Sequence, residues 1–197
     1  MVEGLRRFVN YQYQDIPMWV YEGLLLTACV GAVCILILFG WTSGWKKIIG
    51  LFLAEYVLLI LCSTVFFRRL TEGLSYCIHP FWSYTAIQNG RNDLVPVIIM
   101  NVLVFIPVGL LVGLILIKKQ NLLKAGIIAL CSGLCVSVLI EQLQFFLKRG
   151  LAELDDVIHN TLGCLIGFMI VAIIKGVWQS CSYLFVPQWK RNKDIIA

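Results

Sequence analysis

Five runs of about twenty predominantly apolar residues divide the chain: Trp19 to Gly40, Ile48 to Phe67, Leu94 to Ile117, Leu123 to Leu147 and Val157 to about Trp178. At 1.5 Å per helical residue, about twenty residues cross the ~30 Å hydrocarbon core of a bilayer. Lipid offers backbone N–H and C=O groups no partners, so each run has to bond internally as a helix. The expected class is therefore all-α: a polytopic membrane helix bundle of about five transmembrane helices, forming a single integral membrane domain over residues 1–197. Composition excludes an ordinary soluble domain. Sixty percent of residues are hydrophobic, 14% are charged and the mean hydropathy is +0.87, whereas soluble domains are about half apolar. No small-residue cleavage site follows the first run, so it reads as a retained span and not a signal peptide.

The formal net charge of +5 is dispersed at the borders of the runs, which suits anionic lipid headgroups better than nucleic acid. Of the eight cysteines, six (Cys29, Cys34, Cys62, Cys131, Cys135 and Cys164) fall inside expected spans, where cysteine behaves as a small hydrophobe. No CxxC pair occurs, so metal and redox readings are weak. The one long connection, Arg68 to Asp93, contains IHPFWSY, apolar but broken by Pro80. It predicts an interfacial or re-entrant segment between the second and third spans. Lysine-rich short loops on one side of the alternating spans look cytoplasmic. That places the N-terminus outside and the C-terminus inside the plasma membrane.

Polar residues inside the runs carry the functional signal, because each is costly in hydrocarbon and asks for a partner or a task. Following the alternation of spans, Arg68 and Arg69 end the second and Asn101 lies two turns into the third. Glu141 and Gln144 close the fourth, with Arg149 beyond, and Asp155, Asp156, His159 and Asn160 open the fifth. Four helices thus deliver polar groups to one leaflet. Helical spacing also puts Gly133, Ser137, Glu141, Gln144 and Lys148 on one face, and Asp156, Asn160, Gly163 and Gly167 on another. Gly163 and Gly167 form a GxxxG pair that admits a close neighbouring backbone. Pro107, followed by Gly109, removes a backbone donor mid-span and predicts a kink.

Two readings of the cluster stay open: a structural network of paired charges, or a binding or catalytic pocket. In the second, Glu141 or Asp156 is the candidate general base. Arg68, Arg69 and Arg149 would hold a phosphate or carboxylate. Asn101, Gln144 and Asn160 would add hydrogen bonds, and Asp155 and His159 would line the same site. No rigid metal-ligand spacing is present, so neither a metal nor another cofactor is expected. Glu55 stands apart in the opposite half of the membrane, either hydrogen-bonded to a neighbouring helix or coupling protons.

From about Arg68 to Gly167 the chain resembles the VanZ-like family of small bacterial membrane proteins. The resemblance rests on Pro80-Phe81 and on N-x-x-x-F-x-P-x-G (Asn101, Phe105, Pro107, Gly109). It continues with E-x-x-Q (Glu141, Gln144), Arg149, and D-x-x-x-N-x-x-G-x-x-x-G (Asp156, Asn160, Gly163, Gly167); the core family region is about 68–175. It implies a role at the cell envelope, with teicoplanin-type glycopeptide resistance. The function expected is binding of an anionic amphiphile, a lipid-linked cell-wall precursor or lipoglycopeptide, by an outer-leaflet pocket. Membrane lipids and a second copy of the chain are the other candidate partners, and nucleic acid is not one. The alternatives are a membrane enzyme that hydrolyses or transfers a lipid or phosphate ester, and a lipid flippase or small transporter.

Overall fold

The computed structural model describes residues 18–116 and 121–185. The chain order is helix α1 (Met18–Leu61), a π-helical turn (Cys62–Phe66), strand β1 (Tyr76–Cys77), helices α2 (Trp82–Gln88), α3 (Leu94–Leu116) and α4 (Leu122–Phe146), strand β2 (Ala152–Glu153) and helix α5 (Leu154–Phe185). Four helices among the described residues are long and apolar enough to cross a membrane: Gly44–Phe66, Leu94–Leu116, Leu122–Phe146 and Leu154–Ser180. The chain is an all-α, multi-pass membrane bundle.

The first two expected spans lie within one helical element, where a break near Trp41 was expected. Yet the Thr27 hydroxyl donates to Glu55 Oε1 at 2.8 Å, and a Cβ on Gly31 would lie 2.7 Å from Leu51 Cδ2. A straight helix would separate residues 27 and 55 by about 42 Å. The element therefore folds back on itself, and its two arms run side by side. Glu55 contacts the first arm through this bond.

Helices α3 and α5 form the tightest pair, and glycine is the reason. Gly109 of α3 lies against the Cys164 backbone, while Gly163 and Gly167 of α5 lie against the carbonyls of Val102 and Ile106. Without Cβ atoms the two backbones reach contact distance, as small-residue motifs in membranes allow. Around this crossing Phe105, Val108 and Val112 pack with Cys164 and Phe168 to form the buried core, joined by Ala125, Ala129 and Ile140 of α4. Helix α3 runs unbroken through Pro107. Proline leaves the Leu103 carbonyl without its usual donor; next to it, the Tyr56 hydroxyl donates to Val104 O at 2.9 Å.

The expected interfacial or re-entrant stretch is a compact cap over one end of the bundle. Strand β1 pairs in parallel with β2, Tyr76 opposite Ala152 and Cys77 opposite Glu153. The seven-residue helix α2 follows. The described cysteines are all free.

Candidate functional site

The π-turn decides which arginine enters the bundle. Its extra residue, marked by the Phe67 N–H donating to Cys62 O at 2.9 Å, shifts the face that the preceding helix presented inward. Val65 and Arg68 are buried as a result, whereas Phe66 and Arg69 are exposed. The carbonyls released by the π-turn find side-chain donors. Ser63 and Thr64 hydroxyls both donate to Ile60 O, and Gln144 Nε2 donates to Thr64 O at 3.1 Å. Arg149 donates to Phe66 O at 3.1 Å and to Arg68 O at 2.5 Å. Its guanidinium thus ties the end of this helix down, where anion binding was the expectation. Opposite, Gly150 (φ +96°) leaves the room that Arg68 occupies: a Cβ there would lie 2.5 Å from Arg68 Cζ and 2.9 Å from its terminal nitrogen.

On α4 the inward face is Gly133, Ser137, Glu141 and Gln144, all buried. It ends there: Lys148 is exposed with φ +54° and leaves the helical path. Glu141 Oε2 accepts from the Glu153 backbone N–H at 2.8 Å. From α5, Asp156 Oδ1 accepts from Asn101 Nδ2 at 2.6 Å, and Asn160 Nδ2 donates to Ser137 Oγ at 2.9 Å. Arg68, Asn101, Glu141, Gln144, Asp156 and Asn160 line one cavity of about 240 Å³, with an apolar flank at Val97, Met100 and Val104. Four chain segments meet there, and Met100 is 47% exposed on the outer face of the bundle.

A second cavity of about 310 Å³ lies towards the cap, and Arg68, Val97, Asn101 and Asp156 line both. Its remaining polar wall is Trp82, Ser83, Arg91, Glu153, Asp155 and His159. Asp155 is 1% exposed and both its oxygens are occupied. Oδ1 accepts from Phe81 N–H at 2.5 Å; Oδ2 accepts from Ser83 N–H at 3.0 Å and Ser83 Oγ–H at 2.5 Å. It caps the N-terminus of α2 from a distant helix and holds Phe81 in the left-handed region at φ 61°, a sparsely populated conformation for an aromatic residue. His159 pairs Nε2 with the Tyr84 hydroxyl at 3.0 Å, and its buried Nδ1 has no hydrogen-bond partner. At the mouth Arg91 and the exposed Asp93 form an ion pair at 2.8 Å.

Ser83, Tyr84 and Arg91 escape the sequence reading as site residues, and so do two residues of the link between α4 and α5. Gly150 is one; the other is Glu153, whose Oε2 accepts from Trp82 Nε1 at 3.1 Å. Burial pushes the Glu153 carboxyl up to about 7, and the nearby Asp156 adds to the rise against the opposing pull of Trp82 N–H and Arg68. A folded-state value above the ordinary carboxylate range means the folded protein holds this proton more tightly than the unfolded chain does. The contribution to stability is present below the unfolded value of about 4.5 and disappears as pH rises through about 7. Melting temperature should therefore fall between pH 5 and pH 8, and Glu153→Gln should flatten that slope. A slope unchanged in the variant would assign it to another group. The signal for Glu153 was its position between the two motifs, but a loop acid has no helical period to betray its direction.

The VanZ/LLP1 family profile matches residues 25–175. The chain belongs to the VanZ-like family. The match starts upstream of the motifs at Arg68, so the folded-back helix α1 is mostly part of the VanZ-like domain. No curated protein and no solved structure matches the chain. Among the described residues no group of three or more His, Cys, Asp or Glu side chains is arranged to hold a metal ion. The carboxylates of this VanZ-like site are instead engaged with amides and backbone N–H groups.

Proposed function

We propose that this VanZ-like protein binds the polar head of a membrane amphiphile in the cavity lined by Arg68, Asn101, Glu141, Gln144, Asp156 and Asn160. One observation carries the reading: residues as far apart in sequence as Ser63 and Asn160 line one cavity that has a polar end and an apolar flank. A head group carrying a phosphate or carboxylate would face Arg68, the one arginine in that wall, and its hydrocarbon would leave past Val97, Met100 and Val104. Neither Arg69 nor Arg149 lines it. Intramembrane ionisable groups in a bundle interior are by default functional.

In the cell the ligand would be a lipid-linked cell-wall precursor or a lipoglycopeptide, and the outcome teicoplanin-type glycopeptide protection. The fuller topology proposed has five spans, the first arm of α1 being the fifth, with the N-terminus outside and the cap in the outer interface. Asp156→Ala should abolish teicoplanin protection in a complemented strain, with the variant still present in the membrane fraction at wild-type abundance. Full protection by that variant would remove the pocket from the function.

A hydrolytic role has one observation of its own: His159, paired with Tyr84, has a free Nδ1 beside the second cavity, a suitable position for moving a proton. Release of phosphate or acid from a labelled polyprenyl or glycerolipid substrate, lost in His159→Gln, would favour it over binding alone.

A further inference from the structure

The wall of the first cavity holds a buried acceptor that no group of the chain satisfies. Gln144 is 2% exposed, and its Nε2–H bond to Thr64 O fixes which way the amide faces. Its Oε1 is thereby left buried with no hydrogen-bond partner, in a residue that lines the cavity. A buried acceptor left unmade is costly, so the site is built for a donor that arrives from outside the chain. Two carboxylates stand with it. Glu141 engages Oε2 with the Glu153 N–H, and Asp156 engages Oδ1 with Asn101; each carries a second oxygen. Arg68 is the only cationic side chain among the residues lining this cavity.

We propose that the pocket selects a zwitterionic head group. Its protonated primary amine is held by Gln144 Oε1, Glu141 and Asp156, and its phosphate faces Arg68. This rests on the reading that the cavity takes an amphiphile head, and it names the chemistry of that head. A primary ammonium offers three N–H donors, one for each of the three acceptor groups. It also supplies the positive charge that two carboxylates facing one guanidinium ask for. A quaternary ammonium has the charge without donors. A glycerol head has donors without the charge. The exposed Met100 and neighbouring Val97 and Val104 leave the hydrocarbon a lateral way into the bilayer.

The test is lipid retention by the purified full-length protein. It is equilibrated with equimolar lipids of identical chains bearing phosphoethanolamine, phosphocholine and phosphoglycerol heads, and the retained lipid is quantified by mass spectrometry. The phosphoethanolamine lipid should be retained about tenfold over each of the others, the size of one well-made charged hydrogen bond. Gln144→Met should reduce that preference to below about threefold. Equal retention of the phosphocholine lipid would overturn the need for N–H donors, and equal retention of the phosphoglycerol lipid the need for positive charge. Preference undiminished in Gln144→Met would overturn the role of that amide. If Gln144→Met fails to fold, the wild-type head-group series decides alone. Retention of none of the three would instead sink the pocket itself, and with it the reading on which the proposal rests.

Discussion

Asp155→Ala should lower the stability of the protein by about 3–5 kcal/mol, the cost of stripping a buried carboxylate from the donors it serves. Three donors lose their acceptor at once: Phe81 N–H, Ser83 N–H and the Ser83 hydroxyl. The backbone donors are buried or half-buried, and Phe81 holds a left-handed conformation that relaxes when the clamp opens. The cap over the polar cavities should then detach before the bundle melts. Two measurements check this: the unfolding midpoint in detergent, and the rate of maleimide labelling at the half-buried Cys77 of β1, which should rise. Asp155→Asn should be almost as damaging, because its amide nitrogen would set a donor against donors. A midpoint and labelling rate unchanged in both variants would show that these bonds do not hold the cap.

Gly163→Ala and Gly167→Ala should each cost upwards of about 3 kcal/mol, beyond the usual range for overpacking, because the obstacle is backbone and not a side chain that can turn away. A methyl at Gly163 meets the Val102 carbonyl, and one at Gly167 meets the Ile106 carbonyl with Leu110 N at 2.8 Å. Helices α3 and α5 would have to separate, and the 2.6 Å bond from Asn101 to Asp156 bridges the same pair of helices. Binding should fail together with stability. Gly176→Ala is the matched control: nothing lies within 4 Å of the added atom, and helix propensity alone favours alanine by about 1 kcal/mol. Thermal unfolding of the three variants in one detergent decides the matter. Equal midpoints would mean that the crossing is looser than described.

The residues legible in the sequence are those whose direction is set by helical period. Asn101, Glu141, Gln144, Asp156 and Asn160 sit inside long regular helices, so spacing and depth together fixed which way and at which level they face. The roles of Arg149 and Asp155 were not legible for a physical reason. Apart from the Ser83 hydroxyl, their partners are backbone groups of the 66–83 segment, and every residue carries the same backbone groups, so sequence holds little mark of the pairing. Choosing between Arg68 and Arg69 needed the π-turn, an added residue in the helical count that no side chain announces. The reversal inside α1 was legible as two apolar runs, but not as a helix that stays helical while it turns back. Glu153 and Gly150 lie in the short link between α4 and α5, where burial comes entirely from the cap that folds over them.

That link has a consequence for how the chain can vary in length. Between Phe146 and Leu154, Lys148 O accepts from Thr71, Arg149 grips Phe66 and Arg68, Ala152 and Glu153 pair with β1, and Glu153 also receives Trp82. Inserting or deleting one residue there would throw these attachments out of phase together. The turn at Asn89 and Gly90, exposed and bonded only within itself and to its immediate neighbours, can lengthen ahead of Arg91, which lines the second cavity. Drift in chain length should gather at that turn, while the link keeps its count.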